Sequence, residues 1–222
     1  MKRKICFITG TRAEYGLLRN LILGAFKDKS IISQLIVTGT HLSKDHGLTV
    51  REIDEDGIPI SQKVDLKIKG DSSKKIIQYI SMGLNGFSNA FNVLKPDLVV
   101  ILGDRYEIFS AAVSAMIFNI PIAHLHGGET TEGAFDEAIR HSITKMSHLH
   151  FVAAPEYQKR VHQLGENLQN IYLVGGLGVD AIHRLRLMRK IELERSLDFS
   201  FGKRNLLITV HQETLEQNQA SK

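Results

Sequence analysis

Short apolar runs recur along the chain, each followed by a Gly-bearing polar stretch and then by a segment with helical spacing of its apolar positions. The continuous runs predict buried parallel strands at Ile5–Thr9, Leu35–Thr38, Leu98–Leu102, Ile122–Leu125, His150–Ala153 and Ile171–Val174, with a weaker strand at Gln62–Ile68. The helical spacing predicts helices at Tyr15–Phe26, Thr49–Glu55, Ser73–Leu94, Ile108–Phe118, Asp136–Met146, Pro155–Leu164 and Val179–Leu187. Strands that alternate with helices mean βαβ units with right-handed crossovers, hence an α/β fold: a Rossmann-like parallel sheet flanked by helices.

Residues 188–205 are polar and read as a helix followed by a linker. Beyond them LLITV, Leu206–Val210, reads as another buried strand that ends in His211. A lone strand cannot make a sheet. The pattern therefore divides the chain into an α/β domain over 1–187, a helix and linker over 188–205, and the opening of a truncated second α/β unit over 206–222, so the chain is expected to be a fragment.

Composition narrows the class. The chain has 222 residues, 43% hydrophobic and 23% charged, as in ordinary globular domains. No apolar run approaches the roughly 18 residues of a membrane helix, and MKRKICFITG is too short in its apolar part for a signal sequence. Cys6 is the only cysteine, which excludes an internal disulfide and a Cys-based metal site and suits a cytoplasmic protein. The net charge of +4 comes from scattered Lys and Arg without interleaved aromatic platforms, so a nucleic-acid partner is not expected.

Ligands of open parallel sheets bind beyond the carboxyl ends of the strands, and the unusual residues fall there. After the first strand, GTRAEYG offers Gly10 for a tight turn, a helix N-terminus for a phosphate, and Arg12 as a bidentate clamp. The bland reading is a Gly loop with a surface Arg. After Leu98–Leu102 comes GDRYE, where Asp104 and Arg105 stand at the strand end; the bland reading of Asp104 is a cap on the following helix. HGGETTEGAFDEAIRH, residues 126–141, places Glu129 beyond a glycine pair that lets backbone approach a ligand, and then opens a helix with Asp136 and Glu137. Glu137 reads as a helix-dipole partner. Carboxylates gathered in one cleft raise one another's pKa, which suits acid/base work. His124, His126 and Asp104 invite a metal reading, but His-x-His on a buried strand is more often a hydrogen-bonded core pair, and no third ligand shows fixed spacing. No metal and no cofactor are expected.

GTRAEYGLL, VTGTHLS, LGDRYEIF, HLHGGETTEGAFDEAIRHSITKMSHLHF and LITVHQETL, taken together and in this order from Lys4 to about Leu215, closely resemble the hydrolysing UDP-N-acetylglucosamine 2-epimerases of bacterial sialic and legionaminic acid pathways. The resemblance implies the N-terminal half of a two-domain GT-B fold, with a catalytic domain over 1–187 and a nucleotide-binding domain opening at 206. It implies that Arg12, Gly16, Arg105 and His211 contact the nucleotide or its phosphates, that Asp104, Glu129 and Asp136 are the catalytic carboxylates, and that His211 also serves catalysis by stabilising the departing diphosphate. It implies a UDP-sugar substrate, elimination of UDP to a 2-acetamidoglucal, hydration to the free 2-epimer, and a homodimer. Gln212 stands where relatives often carry Pro. The alternatives are a GT-B glycosyltransferase, which releases UDP only to an acceptor, and a non-catalytic nucleotide-sugar-binding fragment.

Overall fold

The computed structural model describes residues 2–209. Its centre is a seven-stranded sheet in the order β3-β2-β1-β4-β5-β6-β7. The strands are β1 (Lys4–Thr9), β2 (Ile32–Thr38), β3 (Gln62–Val64), β4 (Leu98–Leu102), β5 (Ile122–Leu125), β6 (Leu149–Val152) and β7 (Ile171–Leu173), and every pairing is parallel. The helices are α1 (Arg12–Lys27), α2 (Val50–Glu55), α3 (Ser73–Leu94), α4 (Tyr106–Ile117), α5 (Asp136–Met146), α6 (Pro155–Gln163), α7 (Leu177–Arg184) and α8 (Lys190–Leu197). The direction of winding reverses between β1 and β4, so the loops after these two strands part and leave a crevice.

Strand alternation divides the core. Cys6, Ile8, Ile36, Val99, Ile101 and Ile122 pack under α3, α4 and α5, whereas Phe7, Leu35, Val37, Val100 and Leu102 face α1 and α2. Each fully buried Leu, Ile or Phe contributes roughly 1.5–3 kcal/mol, and the cluster under α3 and α4 adds Phe87 and Phe91 with no exposure at all. Cover on the other face is incomplete. Between α1 and α7 an apolar cleft of about 620 Å³ is lined by Phe7, Leu21, Val100, Ala123, Phe151 and Leu177. This cleft lies along the sheet face, away from the strand ends that carry the charged residues.

Several limits differ from the sequence expectation for local reasons. α1 starts at Arg12 rather than Tyr15, because Thr11 Oγ1 accepts from Glu14 N at 3.2 Å and caps an extra turn. β3 stops at Val64, because Asp65 Oδ1 accepts from Lys67 N at 2.8 Å and Lys67 turns left-handed, φ +54°. α8 occupies part of the polar 188–205 stretch, as expected of it. The strand expected at Leu206–Val210 does not form over its described part. Leu206, Leu207 and Ile208 are 85%, 92% and 71% exposed, and among the described residues no strand pairs with them. Val210 and His211 lie outside the described residues.

Candidate active site

The loop after β1 is built around Gly10. Arg12, at the first turn of α1, is exposed and pairs with no described residue, and Gly16 sits on the exposed side of α1 with open space around it. Beneath them Glu14, almost fully buried, folds back so that its Oε2 accepts from Gly10 N at 2.7 Å. Glu107, fully buried at the head of α4, comes from the other side, and its Oε1 accepts from Arg105 Nε at 2.7 Å. A Cβ on Gly10 would stand 2.6 Å from Glu107 Cγ. Glycine is therefore required here by a neighbouring side chain. Burial, then the proximity of Glu107, pushes the Glu14 carboxyl up to about 8. Arg105 is further held by lying over the Tyr106 ring, 5.4 Å from its centre.

The end of β4 carries Asp104 beside Arg105. Asp104 does not cap α4; its carboxylate is hydrogen-bonded by the Arg140 guanidinium, which reaches up from the buried side of α5. The same Arg140 nitrogen donates to Thr131 Oγ1 at 2.9 Å, tying the loop after β5 to the end of β4. Burial raises the Asp104 pKa, Arg140 opposes the rise, and the negative charge of Asp136 adds to it. Asp104, Arg105, Arg140 and Asp136 thus form one electrostatic group at the crevice. Glu137 accepts from Thr131 N at 3.0 Å and closes the loop before α5, a structural role beyond the expected dipole partner.

The end of β5 holds the third part. His126 adopts a left-handed backbone, φ +60°, which non-glycine residues take at a cost of about 1–2 kcal/mol. The bend brings its Nδ1 to 2.7 Å from Glu129 Oε1, so Glu129 is hydrogen-bonded to an imidazole. His124 is a core residue: its ring lies against Gly103 O at 2.8 Å and Thr144 Oγ1 at 3.2 Å, and burial depresses its pKa to about 3. Its cross-strand neighbour is His150, also buried, whose Nε2 lies 3.2 Å from Glu166 Oε2. No group of three or more His, Cys, Asp and Glu among the described residues is arranged to hold a metal. The glycine pair serves the fold: a Cβ on Gly128 would stand 2.6 Å from Tyr157 O, and one on Gly127 3.1 Å from His124 Nδ1. These glycines admit α6 and His124.

Among the expected site residues, Asp104, Arg105 and Asp136 come together, Glu129 stands at the next strand end, Arg12 and Gly16 line the head of α1, and His211 lies beyond the described residues. Sequence reasoning missed Glu14, Glu107 and Arg140. The signal was present in GTRAE and GDRYE: two helices that both begin at the reversal point each carry a Glu in the first turn.

An open, doubly wound parallel sheet with cations and carboxylates gathered beyond its strand ends defines a Rossmann-like α/β protein. The chain belongs to the UDP-N-acetylglucosamine 2-epimerase family, whose sequence profile matches residues 25–222. It is 44% identical over its whole length to the GDP/UDP-N,N'-diacetylbacillosamine 2-epimerase (hydrolyzing) of Campylobacter jejuni, of which it covers 57%. It is 43% identical over 96% of its length to polysialic acid biosynthesis protein P7 of Escherichia coli, of which it covers 54%. The chain thus spans about half the length of the curated relatives it matches. The fold is shared with the UDP-GlcNAc 2-epimerase of Methanocaldococcus jannaschii, solved in complex with UDP-GlcNAc and UDP: TM-score 0.74 and 23% identity, over 87% of this chain and 52% of that one. Among the described residues no helix is long and apolar enough to cross a membrane.

Proposed function

We propose that this chain carries the catalytic half of a hydrolysing 2-epimerase acting on UDP-N-acetylglucosamine or UDP-N,N'-diacetylbacillosamine, feeding nonulosonic acid synthesis. The observation that carries this reading is the Asp104–Arg105–Arg140–Asp136 group at the reversal point of the sheet, which sets cations for a diphosphate beside carboxyls for proton transfer. In this reading Arg12, Arg105 and the head of α1 near Gly16 hold the diphosphate, with His211 from the segment that opens the nucleotide-binding domain at 206. A homodimer belongs to the same proposal.

The chemistry follows from the substrate. A sugar C2 proton is weakly acidic, so its removal needs the C1–O bond to break with it. A carboxylate, Asp104 or Asp136, takes the C2 proton while the electron pair forms the C1–C2 double bond and UDP departs, its charge stabilised by arginine. Water then adds its hydroxyl to C1 of the 2-acetamidoglucal while a proton is delivered to the opposite face of C2, and the free manno-configured sugar results. Glu129, with His126 bonded to it, handles the proton of the hydration step. Burial raises the Asp104 pKa above its ordinary value, as suits a group that must accept a proton.

The test is incubation of the protein, expressed from its complete reading frame, with each UDP-sugar in D2O under proton NMR. Free UDP with a 2-epimerised sugar deuterated at C2 is the expected result, and the preferred sugar identifies the substrate. UDP release only when an acceptor is supplied would replace this reading with a transferase.

A further inference from the structure

Glu14 and Glu107 have no part in the chemistry above, yet they are the two buried carboxyls nearest the reversal point. Each has one oxygen with a partner and one without. Glu14 Oε2 takes Gly10 N and Glu107 Oε1 takes Arg105 Nε, while Glu14 Oε1 and Glu107 Oε2 are buried with no hydrogen-bond partner. Glu14 accepts from the N–H of Gly10, Glu107 crowds the same glycine, and both carboxyls act electrostatically on Arg105. Buried polar atoms are almost always paired, so two orphaned carboxyl oxygens on side chains that meet the same glycine call for one explanation.

The charges supply it. Two ionised carboxylates against one guanidinium leave an uncompensated buried negative charge, which is strongly unfavourable. One proton held by the two carboxyls leaves a single negative charge facing Arg105. The other groups around the pair do not offset its charge. Thr11 offers only its backbone and capping hydroxyl, and His41, in the turn after β2, lies between Thr9 Oγ1 and Thr49 Oγ1 and is held neutral by burial.

We propose that Glu14 and Glu107 share a single proton, and that this singly charged pair positions Arg105 toward the anionic part of the ligand at the crevice. The proposal rests on the UDP-sugar reading for the identity of that anion. Glu107 fixes the guanidinium through Nε and leaves its two terminal nitrogens to a phosphate; Glu14 keeps the pocket from gaining a second negative charge that would repel one. Both act through Arg105 and are positioning residues.

Two measurements on the complete protein decide it. In protein carrying isotope-labelled glutamate, infrared spectroscopy is expected to show a protonated-carboxyl band at pH 7 that titrates away near pH 8 and is missing from Glu14→Gln. The binding of UDP, followed by calorimetry from pH 7 to 8.5, is expected to weaken about fourfold in the wild type, as the competent protonated form falls to roughly a quarter. Glu14→Gln, which mimics the protonated acid, is expected to hold its affinity within about twofold over that range. Glu107→Gln, with Arg105 unanchored, is expected to bind UDP about tenfold more weakly at every pH. Should Glu107→Gln fail to fold, Glu14→Gln still decides the matter through both readouts. A missing band overturns the shared proton. UDP binding with the same pH profile in wild type and Glu14→Gln overturns the positioning role. Absence of UDP binding at every pH overturns the UDP-sugar reading, and the role given to Arg105 with it, while the infrared band still reports on the proton.

Discussion

Two buried pockets flank the crevice and solve the same problem from opposite sides of the pH scale. Under Gly10 two carboxyls meet one guanidinium, and burial drives Glu14 toward its protonated form. Under the end of β5 two histidines lie side by side across β5 and β6, and burial drives both toward their unprotonated forms. Each pocket is thereby kept close to neutral. Between them Asp104 and Arg140 remain a charged pair, partly open to the crevice. The difference teaches where charge is tolerated in this fold: at the strand ends where solvent or ligand can reach it, and one layer down only in balanced sets.

The strongest way to break this arrangement is to remove the cation that joins the walls. Arg140→Met is expected to cost about 3 kcal/mol, because it strands Asp104 and releases Thr131, and urea unfolding at pH 7 measures it. A smaller blow falls on the acid pocket alone. Gly10→Ala is expected to cost about 2 kcal/mol through its clash with Glu107, and a double-mutant cycle with Glu107→Ala should recover at least half of that.

Titration then separates the pockets. The folded pKa of Glu14, about 8, lies above its ordinary value of 4.5, so the native state keeps a proton that the unfolded chain has lost, and stability falls as pH rises from 4.5 to about 8. His124 and His41 have folded values near 3 and 4 against an ordinary 6.5, so the unfolded chain gains protons first and stability falls as pH drops below 6.5. The stability maximum is expected near pH 6.5. Glu14→Gln should flatten the alkaline limb by on the order of 1–2 kcal/mol and steepen the acid limb between pH 4.5 and 6.5, where Glu14 opposes the histidines, as denaturant midpoints taken from pH 4 to 9 would show. The smallest effect is expected outside both pockets: Arg19→Ala, which removes the ion pair between an exposed arginine and the largely buried Asp56, should cost about 1 kcal/mol and leave the alkaline limb unmoved.

Much of this was legible in the chain itself. The apolar runs placed β1, β2, β4, β5, β6 and β7 within a few residues, because buried parallel strands must be apolar on both faces. Ser73–Leu94 and Asp136–Met146 were readable to the residue. The places where Asp104, Arg105, Glu129 and Asp136 sit, at strand ends and helix starts, also follow from sequence, since a βαβ chain puts its loops there.

What the sequence by itself determined is therefore an alternating α/β fold with its charged residues at one edge. Tertiary structure alone decided which of those charges meet. Arg140 is one more polar helix residue in the sequence until α5 lays it against Asp104, and Glu14 and Glu107 are two separate first-turn carboxylates until the reversal of winding brings the heads of α1 and α4 to the same glycine. The physical reason is that periodicity reports which face of an element is buried, whereas the partner of a buried charge depends on strand order and helix placement, which join residues distant in the chain. A first-turn carboxylate is equally at home facing water or facing another carboxylate, and only packing distinguishes the two.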